Sequence, residues 1–218
     1  AVEIAAPGFR RVLVSGTARD EATLGRLARG TLAQTGTVLD ATLPGAELAI
    51  AGTGPLRDNL ARAISAGGWD DRIQLLGEVP EGELPALLAR SRALVLPSLD
   101  RSETFGLCLL EAMAAGRPVV TSDLETGVLS VNEAGVTGWT APAGDAVALR
   151  RVLAEVMADP DEARRRGEAG RRRMQSRYHR DRLARDLAGW YAALVRQVHG
   201  ESGRGPARGG IGVRARRP

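Results

Sequence analysis

Two glutamates in one short stretch carry the chemistry that stands out in this sequence. Glu103 and Glu111 are eight residues apart, and apolar residues recur between and after them at helical spacing. Eight helical residues rise about 12 Å along the axis and bring both side chains to roughly one face. Carboxylates in this arrangement can accept hydrogen bonds from two separate groups of hydroxyls.

The start of the predicted helix is a candidate anion-binding site. Its expected donors are the free backbone N–H groups of Phe105, Gly106 and Leu107, at the positive end of the helix dipole. Ser102 or Thr104 can cap this start, and Gly106 lets a ligand approach the backbone closely. A carboxylate for hydroxyls, an anion-binding site for phosphate and a second carboxylate for hydroxyls together suit a ligand made of a sugar, a diphosphate and a ribose.

Two short apolar runs of strand length flank this helix. Ala93–Pro97 precedes it, and Pro118–Thr121 follows Gly116, which with Pro118 ends the helix. A strand–loop–helix–strand unit places the helix N-terminus at the carboxyl edge of a parallel sheet, where open α/β folds bind ligands.

The rest of the chain predicts strands that alternate with helices up to residue 121, and helices alone after residue 145. The other predicted strands are Arg11–Ser15, Glu47–Ala51, Arg72–Leu76 and a sixth candidate at Gly138–Ala141, and the earlier helices cover 21–40, 56–66 and 83–90. This alternation predicts an α/β fold, a Rossmann-like parallel sheet with helices on both faces. Helices at 146–158, 161–177 and 180–198 add a helical C-terminal segment.

Composition excludes several classes of function. The chain has 218 residues with one cysteine and two histidines, so it has no disulfide framework and a zinc site is implausible. Cys108 is interpreted as a core residue, and His179 and His199 as surface or packing residues. No apolar run approaches the roughly 18 residues of a membrane-spanning helix, so we expect a cytoplasmic protein, with a peripheral position at the inner face of the membrane left open.

All of the charge excess lies at the C-terminus. The whole chain and its last 18 residues both carry a net charge of +4, so residues 1–200 are neutral overall. The folded part is therefore not a nucleic-acid binder by composition. The clusters Arg164–Arg166 and Arg171–Arg173 alternate with glutamates and alanines, which predicts a solvated helical face.

The central stretch resembles the Glu-x7-Glu signature of family-4 retaining glycosyltransferases, which have the two-domain GT-B fold. From Pro97 to Val120 it reads Pro-Ser-x3-Ser-Glu-x-Phe-Gly-x3-Leu-Glu-Ala-Met-Ala-x-Gly-x-Pro-Val-Val. By that resemblance Glu103 and Glu111 are the catalytic pair, of which the first holds the hydroxyls of the donor sugar and the second holds the ribose. Thr104, Phe105, Gly106 and Leu107 then bind the donor, with residues 105–107 holding its diphosphate.

The resemblance extends donor binding to three further loops. Gly52 and Gly54 match a Gly-x-Gly-Pro loop beside the donor, although a lone Gly-x-Gly is equally a tight turn. Gly77-Glu-Val-Pro80 matches the segment whose backbone near Val79 meets the nucleotide base. Thr126 and Gly127 match a loop near the donor sugar, and a purely structural role for that loop stays open.

The sequence departs from the family at the first strand. Gly16 occupies the glycine of the usual Gly-Arg-x4-Lys pattern, whose cations neutralise the donor diphosphate, and the chain contains no lysine. Arg19 is placed in the donor site, and whether it, Arg26 or Arg29 replaces the missing cations stays open.

The resemblance covers about residues 10–198 and implies the nucleotide-sugar-binding domain of a transferase, here drawn as 10–199. Residues 1–9 are interpreted as a linker or the remainder of a missing domain, and 200–218 as a disordered Arg/Gly-rich tail. The implied reaction moves a sugar of mannosyl or glucosyl type from a nucleotide-diphosphosugar to an unknown acceptor hydroxyl in glycan or polysaccharide synthesis. No cofactor and no metal are expected.

An N-terminal acceptor domain on another chain would complete such an active site. The alternatives are a non-catalytic or partner-dependent nucleotide-sugar-binding module and, with less support from the Glu-x7-Glu context, a sugar-nucleotide epimerase of the same fold.

Overall fold

The computed structural model of the chain describes residues 11–14, 46–54, 57–99, 101 and 103–198. Six strands and seven α-helices run through these residues. The strands are β1 (Arg11–Val14), β2 (Glu47–Ala51), β3 (Ile73–Gly77), β4 (Ala93–Leu96), β5 (Val119–Ser122) and β6 (Gly138–Ala141). The helices are α1 (Arg57–Ala66), α2 (Leu84–Ala89), α3 (Leu107–Ala114), α4 (Val128–Val131), α5 (Ala146–Ala158), α6 (Pro160–Arg173) and α7 (Arg180–Val198), with a π-helical turn at Met174–Tyr178.

Several predictions concern positions outside the described residues. They are the helix at 21–40, the roles of Gly16, Arg19, Arg26 and Arg29, capping by Ser102, the position of His199, the linker 1–9 and the tail 200–218. These remain predictions.

The six strands form one parallel sheet in the order β3-β2-β1-β4-β5-β6. Val12 pairs with Leu48 of β2 on one side and with Ala93 of β4 on the other. From β1, strands β2 and β3 extend the sheet in one direction, and strands β4, β5 and β6 extend it in the other. This is the doubly wound order, and its switch point lies between β1 and β4. The predicted Rossmann-like sheet is confirmed.

Alternate residues of the central strands pack on opposite faces of the sheet. On one face Val95 of β4 belongs to a buried cluster with Ile64 of α1 and Val156 of α5. On the other face α3 packs against β4 and β5, and its Leu109 is fully buried. Burial on both sides explains why β4, Ala93–Leu96, is a continuous apolar run rather than an alternating one. All four residues of β5 are buried as well, and two of them, Thr121 and Ser122, are polar.

A buried polar network around Asn132, the residue that follows α4, connects β5 to β6. The Asn132 side-chain amide donates to Thr121 Oγ1 and to the Trp139 carbonyl, both at 2.9 Å. The Thr137 hydroxyl donates to Asn132 Oδ1 at 3.0 Å. Each of these buried groups therefore has a partner, as burial requires. The sequence analysis assigned residues 122–132 to loops and did not predict α4.

The prediction of a solvated arginine face on α6 is correct in part. Arg164 and Arg165 are exposed, whereas Arg166 lies 3.9 Å above the Trp139 ring and donates to the Gly138 carbonyl at 2.8 Å. Hydrogen bonds from Arg165 and Arg166 lower the pKa of Glu162 to about 2.

Arg173, from the second arginine cluster, also has a structural role. It donates to the carbonyls of Ser130 and Val131 at 2.9 and 3.1 Å. These are carbonyls in the last turn of α4, where a cation is favoured. Two arginines of α6 thus anchor this helix to β6 and α4.

The final helix belongs to a separate unit. The contacts divide the chain into residues 1–175 and 176–218, and α7 is the helix of the second unit. One face of α7 carries large apolar side chains that are 42–67% exposed: Leu183, Leu187, Trp190, Tyr191, Leu194 and Val195. His179, just before α7, is half exposed, as predicted for a surface residue. No helix within the described residues is long and apolar enough to cross a membrane.

Candidate functional site

A cavity of about 370 Å³ opens at the carboxyl ends of β2 and β3, beside one face of α3. It is lined by Ala51, Gly52, Thr53, Glu78, Val79, Leu84, Leu88, Leu94, Cys108 and Glu111. We call it the α3 cavity. Its volume lies within the range of small-molecule sites, and it brings together three residues predicted from sequence: Gly52, Val79 and Glu111.

The loop after β2 is fixed to the loop after β3 at this cavity. Gly52 has a φ of +120°, and its N–H donates to the Gly77 carbonyl at 2.7 Å. Gly54 does not line the cavity; its carbonyl accepts from Arg57 N at 3.1 Å, at the start of α1. The two glycines of the Gly-x-Gly pattern thus differ in role, since one lines the cavity and the other starts a helix.

Glu111 presents a carboxylate to the cavity from the second turn of α3. Burial of the carboxyl raises its pKa, and the negative charge of Glu81 raises it further. The protein thus makes the ionised form of Glu111 less favourable than in water. Hydroxyl donors from a ligand would compensate for this cost, and a ribose supplies two of them.

The start of α3 differs from the sequence prediction. The helix begins at Leu107, and its N-cap is Gly106, which has a φ of +75°. A Cβ atom at Gly106 would lie 2.9 Å from Leu109 Cδ1, so both the backbone conformation and the packing require glycine. The helix was predicted to follow Thr104 directly, but it begins at Leu107, and its N-cap is Gly106 rather than Thr104.

The Glu103 side chain occupies part of the predicted anion-binding site. Its Oε1 accepts from Gly106 N at 2.9 Å and from Phe105 N at 3.4 Å. The expectation that these two N–H groups are free is therefore wrong, because the carboxylate that precedes the helix takes them. An anion does sit at this N-terminus, as the helix dipole favours, and the anion is a side chain of the chain itself.

The loop that contains Thr126 and Gly127 packs directly on the residues after Glu103. A Cβ atom at Gly127 would lie 2.4 Å from the Thr104 carbonyl oxygen and 3.2 Å from Phe105 Cδ2. Thr126 Oγ1 accepts from Val128 N at 3.3 Å. The predicted donor residues 104–107 and 126–127 thus form a second cluster at the start of α3, although the Leu107 side chain points to solvent and is 69% exposed.

Sequence reasoning missed part of the cavity lining. Cys108, predicted to be a core residue, is only half-buried and lines the cavity. It precedes Glu111 by three residues, so the helical period places both on one face, and this spacing could have revealed it. Thr53, Leu84 and Leu88 reach the cavity through the tertiary arrangement, which has no local sequence signal.

The described residues contain no group of three or more His, Cys, Asp or Glu side chains that could hold a metal ion. The prediction that the reaction needs neither metal nor cofactor remains a prediction.

Comparison with known families gives one match that covers most of this domain. The sequence model described as "Glycosyl transferases group 1" matches residues 33–173. The chain is 35% identical over 129 residues to the D-rhamnosyltransferase WbpZ of Pseudomonas aeruginosa, covering 59% of this chain and 32% of that protein. It is 37% identical over 156 residues to a glycogen synthase of Mycobacterium tuberculosis, covering 71% of this chain and 37% of that protein. The chain thus spans about a third of the length of these curated relatives.

A solved structure shows the same architecture. The sucrose-phosphate synthase of Thermosynechococcus elongatus aligns with a TM-score of 0.70 at 25% identity, over 88% of this chain and 47% of that chain. The parallel sheet and its helices therefore correspond to one half of a GT-B fold.

Proposed function

Because the chain belongs to the group 1 glycosyltransferases, we propose that it forms the donor-binding half of a retaining enzyme of family 4. The reaction transfers a hexosyl unit, of mannosyl or glucosyl type, from a nucleotide-diphosphosugar to an acceptor hydroxyl. The observation that carries the proposal is the arrangement of Glu111 on the α3 cavity and Glu103 at the start of the same helix. Similarity to a rhamnosyltransferase and a glycogen synthase supports the sugar class.

In this proposal the α3 cavity takes the nucleoside. The base lies against the backbone near Val79, and the ribose hydroxyls donate to Glu111. The raised pKa of Glu111 supports this assignment, because its carboxylate gains more from hydroxyl donors than a fully solvated one does.

The start of α3 then takes the diphosphate and the sugar. Phosphate oxygens replace Glu103 on the N–H groups of Phe105 and Gly106, and the released carboxylate turns to the hydroxyls of the donor sugar. Departure of the diphosphate requires stabilisation of negative charge, which fixed N–H donors supply without reorganisation. Gly127, packed on Thr104, holds the adjoining loop beside the sugar. We assign Gly16 and Arg19, outside the described residues, to the same phosphate-binding edge.

We further propose that a separate acceptor-binding domain supplies the other wall of the active site. The exposed apolar face of α7 supports this, because six large side chains on one helix face are costly to leave in water. The isolated chain is then expected to bind a nucleoside diphosphate and to transfer little sugar. A non-catalytic or partner-dependent nucleotide-sugar-binding module is the alternative.

Calorimetric titration of the chain with UDP, GDP and ADP tests the donor site. We expect one of these to bind, and Glu111→Ala to weaken that binding at least about tenfold, because a charged hydrogen bond contributes about 1.5–3 kcal/mol. Glu155→Ala is the matched control, since Glu155 is an exposed helical glutamate of α5 that does not line the cavity.

Two outcomes would contradict the proposal. If none of the three nucleotides binds a folded chain, the donor site fails. If Glu111→Ala and Glu155→Ala bind equally well, the ribose role of Glu111 fails. Sugar transfer on addition of an acceptor domain, with the anomeric configuration of the product read by NMR, would separate a retaining enzyme from a binding module.

A further inference from the structure

The polar side chains of the α3 cavity are mainly hydrogen-bond acceptors. The polar residues that line it are Glu78, Glu111, Thr53 and Cys108, and the other lining residues are apolar or glycine. Among the residues found to line it there is no arginine, histidine, asparagine or glutamine. Because an ionised carboxylate accepts hydrogen bonds and donates none, this lining favours a ligand whose edge carries several N–H or O–H donors.

The two carboxylates lie on different elements. Glu111 is on α3, and Glu78 follows directly after β3, next to Val79. Gly77, with a φ of +68°, turns the chain at this point, and its carbonyl accepts from Gly52 N at 2.7 Å. The segment that carries Glu78 is therefore joined to the neighbouring loop by a backbone hydrogen bond.

The nucleobases differ in the donors that they can offer to such a carboxylate. Guanine carries an N1–H and an exocyclic N2 amino group side by side, so one carboxylate can accept from both. Uracil has a single N–H between two carbonyl acceptors, and adenine sets its amino group beside an acceptor nitrogen. A carboxylate facing those acceptors is repelled, and the nearby charge of Glu81 adds to the negative potential.

On the basis of the function proposed above, we propose that the α3 cavity selects guanine and that Glu78 is the residue that selects it. The donor would then be a guanosine-diphosphate sugar. Glu111 is assigned to the ribose, which leaves Glu78, beside the segment that meets the base, as the carboxylate available to the guanine edge.

The sharpest test compares GDP with inosine diphosphate, which lacks only the exocyclic amino group. Titration calorimetry on the whole chain is expected to give GDP a Kd at least about tenfold lower than that of inosine diphosphate or UDP. In Glu78→Gln, the ratio of the two purine nucleotide Kd values should fall towards one. Glu83→Gln, an exposed glutamate before α2 that does not line the cavity, should keep the ratio of the unaltered chain.

The ratio separates recognition from folding, because damage to the fold weakens both purine nucleotides together. Equal binding of GDP and inosine diphosphate by the unaltered chain would overturn the proposal. An unchanged ratio in Glu78→Gln would remove Glu78 as the selecting residue. Tight binding of UDP or ADP in place of GDP would reject guanine but leave the donor site intact, whereas loss of all nucleotide binding would reject both proposals.

Discussion

Helices α3 and α7 both have an apolar face, which is buried in α3 and largely exposed in α7. Leu109, Ala112 and Met113 of α3 are completely buried. In α7 the corresponding large side chains, such as Leu187 and Trp190, are 42% and 62% exposed. The contrast shows that α3 belongs to the buried core of its unit, whereas the apolar residues of α7 are those for which an acceptor-binding domain was proposed above. Three changes test this distinction.

The largest effect is expected from truncating one leucine in each helix. Leu109→Ala should lower the free energy of unfolding by about 2–5 kcal/mol, because it opens a cavity in the α3 core. Leu187→Ala should change it by less than about 0.5 kcal/mol, as for most surface positions. Denaturant unfolding of the chain measures both. A comparable loss in Leu187→Ala would show that α7 contributes to the core of this chain and would end the distinction.

Replacing a glycine by alanine should lower the stability of the chain in helix α6 and raise it in helix α7. A Cβ atom at Gly167 would lie 2.1 Å from the Gly116 carbonyl oxygen, whereas Gly189 has nothing within 4 Å. Gly167→Ala should therefore destabilise the chain by about 1–3 kcal/mol through overpacking.

Gly189→Ala should increase the helical stability of α7 by up to about 1 kcal/mol, because alanine is the better helix former. Thermal melting followed by circular dichroism measures both changes. A destabilising Gly189→Ala would reveal a close contact at that position.

The smallest effect concerns Glu111, whose pKa is raised in the folded protein. The folded state then holds this proton more tightly than the unfolded chain does. The associated stability is complete below the ordinary glutamate pKa and is lost as the pH rises through the raised value. Glu111→Gln, which does not ionise, should gain stability relative to the unaltered chain between about pH 4 and pH 7.

Unfolding in urea at these two pH values measures that gain. The difference in free energy of unfolding between the two proteins is compared at each pH, so contributions from groups that titrate in both proteins cancel. A difference that does not change with pH would assign Glu111 a packing role.

In α7, by contrast, exposed Asp186 lies 3.5 Å from Arg182, an arrangement of the kind found on many solvated helices.

Periodicity predicted most elements of the fold, and pattern alone placed β2, β6, α5 and α7 at their observed bounds. The glycine at position 106 was noted for close approach, but its left-handed conformation and its contact with Leu109 depend on tertiary packing. For the same reason no local pattern indicated that Arg166 stacks on Trp139, 27 residues earlier in the chain. Local spacing identified Glu111, whereas the leucines of the cavity could be placed only once the helices were packed.

The hydrogen bonds of Glu103 have a consequence for turnover. If the donor diphosphate takes the N–H groups of Phe105 and Gly106 as proposed, Glu103 is a tethered competitor for the same two donors. Its local concentration is high and constant, since only two or three residues separate it from them. Nucleotide binding is then an exchange of one anion for another, and the return of the carboxylate helps to expel the spent nucleoside diphosphate.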